Sequence, residues 1–239
     1  MIAAIIPARG GSKRLPRKNV IPFAGRPLIH YSIALAQAID RIDCCIVSTE
    51  DAEIAEVARL EGAEVVARPP ELAGDRATTA SAIVHTLRAL EREGRMPEAI
   101  VLLQPNCPLR PRSMVVDALD VLAEGGSDSV VSVSMEHHKT GEISQGLFVP
   151  LYQPGTRAQD MPERYYENGL VYAAWSSRVI ETNSVFGDRI RPLITDPMYA
   201  LGDIDTALDL EIAEHLFLKY RAHFDWVPSD ARAHAAISR

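Results

Sequence analysis

The residues best suited to chemistry open the chain. A short apolar run, Ile2 to Ile6, breaks into Pro7-Ala8-Arg9-Gly10-Gly11-Ser12-Lys13-Arg14-Leu15-Pro16-Arg17-Lys18-Asn19. A buried strand thus leads directly into a loop carrying Arg9, Lys13, Arg14, Arg17 and Lys18. Gly10 and Gly11 lack the Cβ atoms that keep backbone N–H groups from turning toward an anion. The carboxyl end of a first strand is also where open α/β sheets bind ligands. The chemistry that fits is binding of a polyphosphate or phosphate ester; a solvated basic loop is the plainer alternative. The loop matches neither G-x-x-x-x-G-K-S/T nor G-x-G-x-x-G, which argues against a Walker-type NTPase and a dinucleotide fold.

A second candidate is Gly202-Asp203-Ile204-Asp205. In extended backbone both carboxylates fall on one side. They repel each other unless a cation sits between them. Mg²⁺ is the fitting ion, since it takes one or two carboxylates together with phosphate oxygens and water. The competing reading makes Asp205 a cap for a helix beginning at Thr206. Gln104, just past an apolar strand, offers a donor and an acceptor for a base or sugar edge. Arg68-Pro69-Pro70-Glu71-Leu72 with Thr78-Thr79 is another polar segment after a strand, where either threonine suits a helix cap. His137-His138 are poor joint ligands for one metal, so with Lys139 they read as surface or substrate-facing. Arg157 to Pro162 and Tyr165 to Gly169 gather the hydrogen-bonding groups that a carboxylated polyhydroxy ligand needs. An ordinary turn at Asn168-Gly169 is the alternative there.

The elements that must position these residues alternate strand and helix. Strands are expected at Ile2–Ile6, Cys44–Ser48, Glu64–Ala67, Ile100–Leu103, Ser129–Val133 and Leu170–Trp175. Helices are expected at Pro27–Gln37, Asp51–Glu61, Thr78–Arg92, Arg112–Leu122 and Thr206–Tyr220. This order predicts an α/β fold: a mainly parallel sheet with helices on both faces. Met135–Arg164, punctuated by Gly and Pro, reads as an insertion of hairpins or an arm. Pro192–Leu201 reads as irregular, and the Ala- and Arg-rich tail beyond Asp225 as loosely held. The expected organisation is one domain over residues 1–239, with the arm at about 135–165.

Composition narrows the function classes. The net charge of −7 makes nucleic acid a poor partner. No apolar run approaches the ~20 residues of a membrane span, and no signal-peptide pattern opens the chain. Cys44, Cys45 and Cys107 are odd in number and lack metal-ligand spacing, so a reducing cytoplasm is the expected compartment.

With these segments in order, the chain resembles the CMP-acylneuraminate synthetases, cytidylyltransferases that activate sialic and related nonulosonic acids. Four blocks carry the likeness: Ile6 to Lys13 with Lys18-Asn19; Arg68 to Leu72; Leu102 to Pro105 through Pro108-Leu109-Arg110; and Asp203-Ile204-Asp205 with Asp209-Leu210. Asn168-Gly169 and Tyr172 add a fifth. The resemblance implies a Rossmann-like nucleotidyltransferase fold and CTP as donor. It implies that Arg9, Gly10, Gly11, Ser12, Lys18 and Asn19 surround the triphosphate and base, with Lys13 near the departing phosphates. Arg68, Thr79 and Gln104 match positions of the cytidine or sugar pocket. Asp203 and Asp205 match the Mg²⁺-binding pair, with Asp203 also placed to take a proton. Arg9, Lys13, Lys18 and Asp203 are then the catalytic set. The nonulosonic acid is expected to meet Gln104, Asn168 and Tyr172. It is also expected to meet Lys139, Arg157 and Gln159 of the arm, partly from the partner chain of a homodimer. Two departures fall in the arm: Lys139 follows His138 directly, and Arg157-Ala158-Gln159-Asp160 has one arginine fewer than the family pattern. Neuraminate, legionaminate and pseudaminate types stay open. So do a shorter keto-sugar acid and, from another class, a nucleotide-binding module without turnover, which retention of both aspartates disfavours.

Overall fold

The structure is a computed structural model that describes residues 1–74 and 77–227. In chain order its elements are β1 (Ile2–Pro7), β2 (Pro22–Phe23), β3 (Arg26–Pro27), α1 (Leu28–Gln37), β4 (Cys44–Thr49), α2 (Ala52–Leu60), β5 (Glu64–Ala67), α3 (Thr79–Arg92), β6 (Ala99–Leu102) and α4 (Arg112–Ala123). Then follow β7 (Ser129–Met135), β8 (Gly141–Ser144), β9 (Leu147–Pro150), β10 (Tyr165–Trp175), α5 (Ser176–Thr182), β11 (Ile190–Ile194), α6 (Pro197–Ala200) and α7 (Ala207–Lys219).

A seven-stranded sheet in the order β11-β7-β10-β6-β1-β4-β5 forms the middle layer. β6, β1, β4 and β5 are parallel to one another, and β11 is parallel to β7. β10 runs antiparallel to both its neighbours, β6 and β7. The central strands β1 and β6 are apolar throughout because both of their faces are covered. Ala4, Ile6, Val101 and Leu103 pack with α1, α2, α4 and α7. Ile5, Ile100, Leu102 and Tyr172, alternating with them, pack with Ile83 and Leu87 of α3 and Val179 of α5. The expected mainly parallel sheet with helices on both faces is therefore present.

Four local expectations are corrected. Residues 192–194, read as irregular, belong to β11 at the sheet edge, where Pro192 is tolerated because no further strand needs its N–H. Pro197–Ala200 is a short helix capped by the Asp196 side chain, which accepts from Met198 N at 2.8 Å. The strand expected to begin at Leu170 begins at Tyr165, with a register shift between Glu167 and Tyr172. Trp226, in the supposedly loose tail, is buried and donates Nε1–H to the Arg110 carbonyl at 2.9 Å. The rest of that tail, 228–239, lies outside the described residues.

The insertion holds the β8–β9 hairpin, turned at Gln145 and Gly146 with φ of 50° and 79°. Its apolar side chains are outside: Ile143 is 73% and Leu147 70% exposed, with Phe148, Val149 and Leu151 also exposed. Among the described residues no helix is long and apolar enough to cross a membrane.

Candidate active site

Parallel strands bring their carboxyl ends to one edge. Arg9 follows β1, Glu50 follows β4, Arg68 follows β5 and Gln104 follows β6. Between them lies a cleft of about 440 Å³ lined by Arg9, Lys18, Asn19, Arg68, Thr79, Gln104, Asp203 and Asp205, among others. Eight of the expected site residues, spread over the chain, thus meet on one surface.

The loop after β1 is held by its own polar groups. Asn19 is buried and donates Nδ2–H to the Arg9 carbonyl at 2.9 Å, closing the loop. Gly10 donates its N–H to Glu50 Oε1 at 2.7 Å, and Ser12 donates its N–H to the Gly10 carbonyl at 3.0 Å. The expectation that the Gly10 N–H turns toward a bound anion is therefore corrected: its anion is a protein carboxylate. The glycine is required for a different reason. A Cβ there would sit 2.4 Å from Asp51 Oδ2. Gly10, Gly11, Ser12 and Lys13 form the loop's outer part rather than the cleft wall. The left-handed turn in the loop falls on Arg17, at φ 57°.

Glu50 has a second task, because Oε2 accepts from Arg68 NH2 at 2.8 Å. Arg68 is 7% exposed, and its charge is balanced within the wall of the cleft. Thr78 is the cap of α3, accepting from Ser81 N at 3.1 Å. That leaves Thr79 facing the cleft at the start of the helix.

The aspartate segment is stitched to its surroundings from both sides. Ile204 donates its N–H to the Asn106 carbonyl at 2.9 Å. Gly202 is buried where a Cβ would meet Leu109 at 2.5 Å, so only glycine lets the segment pass so close. Lys18 Nζ reaches Asp205 Oδ1 at 2.8 Å and the Ile204 carbonyl at 2.9 Å. Arg14 reaches Asp205 Oδ2 at 3.0 Å. Asp203 Oδ1 accepts from Asn106 Nδ2 at 2.5 Å. Asp205 is not the helix cap. Thr206 caps α7 in a reciprocal box with Asp209, whose carboxylate accepts from the N–H groups of Thr206 and Asp205.

The two carboxylates are electrically unequal. Asp203 is held above the usual carboxylate range, first by partial withdrawal from water in the cleft and then by the Asp205 charge, against the pull of Lys18 and Asn106. Asp205 has two cations within 3.0 Å. A pair of hard carboxylate oxygen donors beside a crowded negative charge is the donor set that a small divalent cation takes.

A smaller lobe of about 280 Å³ opens beside the cleft and shares Gln104 and Asp203 with it. Its other walls include Tyr166, Glu167, Asn168 and Tyr172 from β10. Tyr172 is 4% exposed and donates its hydroxyl to Glu167 Oε1. Burial first, then the Glu167 carboxylate, raises its pKa far above the tyrosine norm, so the hydroxyl keeps its proton. Asn168, expected as a substrate contact, lines this lobe while its amide is engaged within the protein. Its Nδ2 donates to Ser134 Oγ at 2.8 Å and Thr195 Oγ1 at 2.7 Å, and its Oδ1 accepts from Leu170 N at 3.2 Å. It secures the irregular stretch of β10. Gly169, at φ 74°, follows it and presents its carbonyl to Gln104 Nε2 at 3.4 Å.

Lys139, Arg157 and Gln159 line neither lobe. Lys139 Nζ donates to the Thr156 carbonyl at 2.6 Å and lies over the Tyr152 ring, and Arg157 pairs with Asp160. Gln159 borders a separate hollow in the arm with His137 and His138.

Sequence reasoning passed over Glu50, and it gave Asn106, Arg110 and Glu167 no individual role although each lies in a segment it singled out. Arg110 is fully buried and donates to the carbonyls of Gln104 and Leu170 at 2.7 and 3.0 Å and to Ser32 Oγ at 2.6 Å. It ties the two walls of the site together, and burial lowers it to about 10. Each of these residues lies within two or three positions of a recognised strand end or motif, which was the available signal.

The chain matches the cytidylyltransferase family model over residues 3–182. It is 30% identical over 220 residues to the pseudaminic acid cytidylyltransferase of Campylobacter jejuni, covering 89% of this chain and 94% of the relative. It is 33% identical over 222 residues to the CMP-N,N'-diacetyllegionaminic acid synthase of Legionella pneumophila, covering 90% and 95%. It is 32% identical to N-acylneuraminate cytidylyltransferase A of Danio rerio, spanning 92% of this chain and 51% of that longer protein. Among solved structures, a CMP:2-keto-3-deoxy-manno-octonic acid synthetase complexed with CTP superposes with a TM-score of 0.68 over 91% of this chain and 98% of that one. At 16% identity this shows a shared fold. A family-model match over most of the chain, near-full-length relatives and a common fold converge on one statement: this chain belongs to the cytidylyltransferase family.

Proposed function

We propose that the chain transfers CMP from CTP to the anomeric hydroxyl of a nonulosonic acid and releases pyrophosphate. The observation that carries this reading is the double lobe. A cationic cleft meets a hydroxyl- and carboxylate-lined pocket, and Gln104 and Asp203 belong to both. Such a shared wall suits transfer between two bound substrates. The near-full-length relatives named for pseudaminic and legionaminic acids support the nine-carbon acceptor.

In this reading Arg9 and Lys18 take the phosphates, with Lys13 near the leaving pyrophosphate. Gly10, Gly11 and Ser12 shape the loop. Asn19, Arg68, Thr79 and Gln104 hold the nucleoside. Holding both reactants against one wall lowers the barrier by orientation, and fixed cations stabilise the charge that builds on the phosphate oxygens. Asp203, above the ordinary carboxylate range, is suited to accept the acceptor hydroxyl's proton. Asp203 and Asp205 would hold Mg²⁺, which neutralises phosphate charge when bound. Tyr172 borders the acceptor lobe. Lys139, Arg157 and Gln159 reach an acceptor from the partner's arm in a homodimer, an arrangement supported by the exposed apolar hairpin. Three free thiols suit a reducing, cytoplasmic setting.

The test is pyrophosphate release from CTP, ATP, GTP and UTP with nine-carbon and eight-carbon 2-keto-3-deoxy acids and Mg²⁺. Preference for CTP with a nine-carbon acid is expected. Equal use of all four nucleotides, or no release with any acid, refutes the reading. Preference for the eight-carbon acid selects the shorter-sugar alternative.

A further inference from the structure

The acceptor lobe contains a carboxylate that the mechanism leaves unused. Glu167 stands on β10, away from the nucleotide cleft, with Tyr166 beside it and Tyr172 behind it. The Tyr172 hydroxyl donates to Glu167 Oε1, and Tyr172 itself is buried, so the carboxylate is anchored from beneath. The lobe's other charged lining group is Asp203. Among the groups this chain itself contributes to the lobe, a ligand carboxylate meets two like charges and no cation. A ligand edge rich in hydroxyl or amide N–H donors meets a fixed acceptor instead, and donors bind ionised carboxylates more strongly than neutral oxygens.

We infer that Glu167 is a specificity-determining residue for the acceptor. Its free oxygen takes a hydroxyl or acylamino N–H of the sugar, and its charge turns the sugar's carboxylate away from β10. This rests on the proposed nonulosonate acceptor and deepens it. Tyr172 acts through Glu167 as a positioning residue, fixing which oxygen is presented.

Glu167→Gln is nearly isosteric and keeps an oxygen for the Tyr172 hydroxyl. It places an N–H donor where the free acceptor stood, so donor meets donor. Steady-state kinetics with CTP and with pseudaminic or N,N'-diacetyllegionaminic acid read the effect. The expected result is at least a tenfold rise in KM for the acid, with KM for CTP within twofold of wild type and an unchanged melting temperature. Glu167→Asp, which keeps the charge on a shorter arm, is expected to recover part of the loss. An acid KM in Glu167→Gln that is unchanged or lower overturns the inference while leaving the proposed function standing. So does a KM for CTP that rises in parallel. Wild-type protein that turns over neither of these acids nor N-acetylneuraminic acid refutes both.

Discussion

Replacing each aspartate of the 203–205 pair by asparagine separates charge function from architecture, because the two carboxylates stand in opposite electrical settings. Asp205 balances Lys18 at 2.8 Å and Arg14 at 3.0 Å, and the Lys18 side chain is 16% exposed. Asp205→Asn leaves that half-sheltered ammonium without its counter-charge but keeps one acceptor oxygen. The loss is about 1–2 kcal/mol, the lower part of the range for charged hydrogen bonds. For a chain of this size that is a fall in Tm of roughly 2–8 °C. Asp203 is the reverse case. Its carboxyl is raised by withdrawal from water and by Asp205, so ionisation is disfavoured in the folded protein. Asn at that position still accepts from Asn106, and Tm is expected to hold or rise. The sign follows from linkage. A raised folded-state value means the penalty is present above the titration range and disappears as pH falls through it, so the gap between Asp203→Asn and wild type, visible at neutral pH, closes toward about pH 4. Turnover is expected to fall in both variants by on the order of 10²-fold or more, as for loss of a central electrostatic element. Thermal melts across pH and steady-state kinetics across a Mg²⁺ titration measure both quantities. Near-normal turnover in folded Asp203→Asn removes the assigned role. An Asp203→Asn protein less stable than Asp205→Asn refutes the charge-crowding argument.

Glu50→Gln is expected to raise KM for CTP about tenfold, about 1.4 kcal/mol, by releasing Arg68 while the Gly10 N–H keeps an acceptor; steady-state kinetics with CTP varied reports it. Gly10→Ala drives a Cβ into Asp51, the cap of α2 that accepts from Ile54 N at 2.9 Å. Loss of that cap is worth about 1 kcal/mol, a fall in Tm of ~2–4 °C by differential scanning fluorimetry, together with weaker CTP binding. Phe148→Glu, on the exposed face of the β8–β9 hairpin, is expected to turn a dimer into a monomer by light scattering; a wild-type monomer at micromolar concentration contradicts the arm's assigned role.

Much of this protein was legible along the chain. Apolar runs a few residues long, each ending in polar groups, locate β1, β4 and β6 within a residue or two, because a strand covered on both faces is apolar along most of its length. The same rule puts chemistry at the strand ends, so Arg9, Arg68 and Gln104 could be singled out before any fold was known. The Gly-Asp-Ile-Asp spacing marked the carboxylate pair. What the chain alone left open were relations between distant residues. Whether Asp205 capped a helix or faced a cation depended on Thr206 and Asp209 closing a box of their own, and on Lys18 crossing from the first loop. Gly10 looked like a site for an anion and became one for Glu50, a residue 40 positions away. Asn168 was expected to contact a ligand and does line the smaller lobe, but its amide is held by Ser134 and Thr195. Periodicity reports burial along one segment. It does not say which partner from another segment satisfies a polar group, and that pairing, made only when the strands assemble, decided which of these side chains remain available to a substrate.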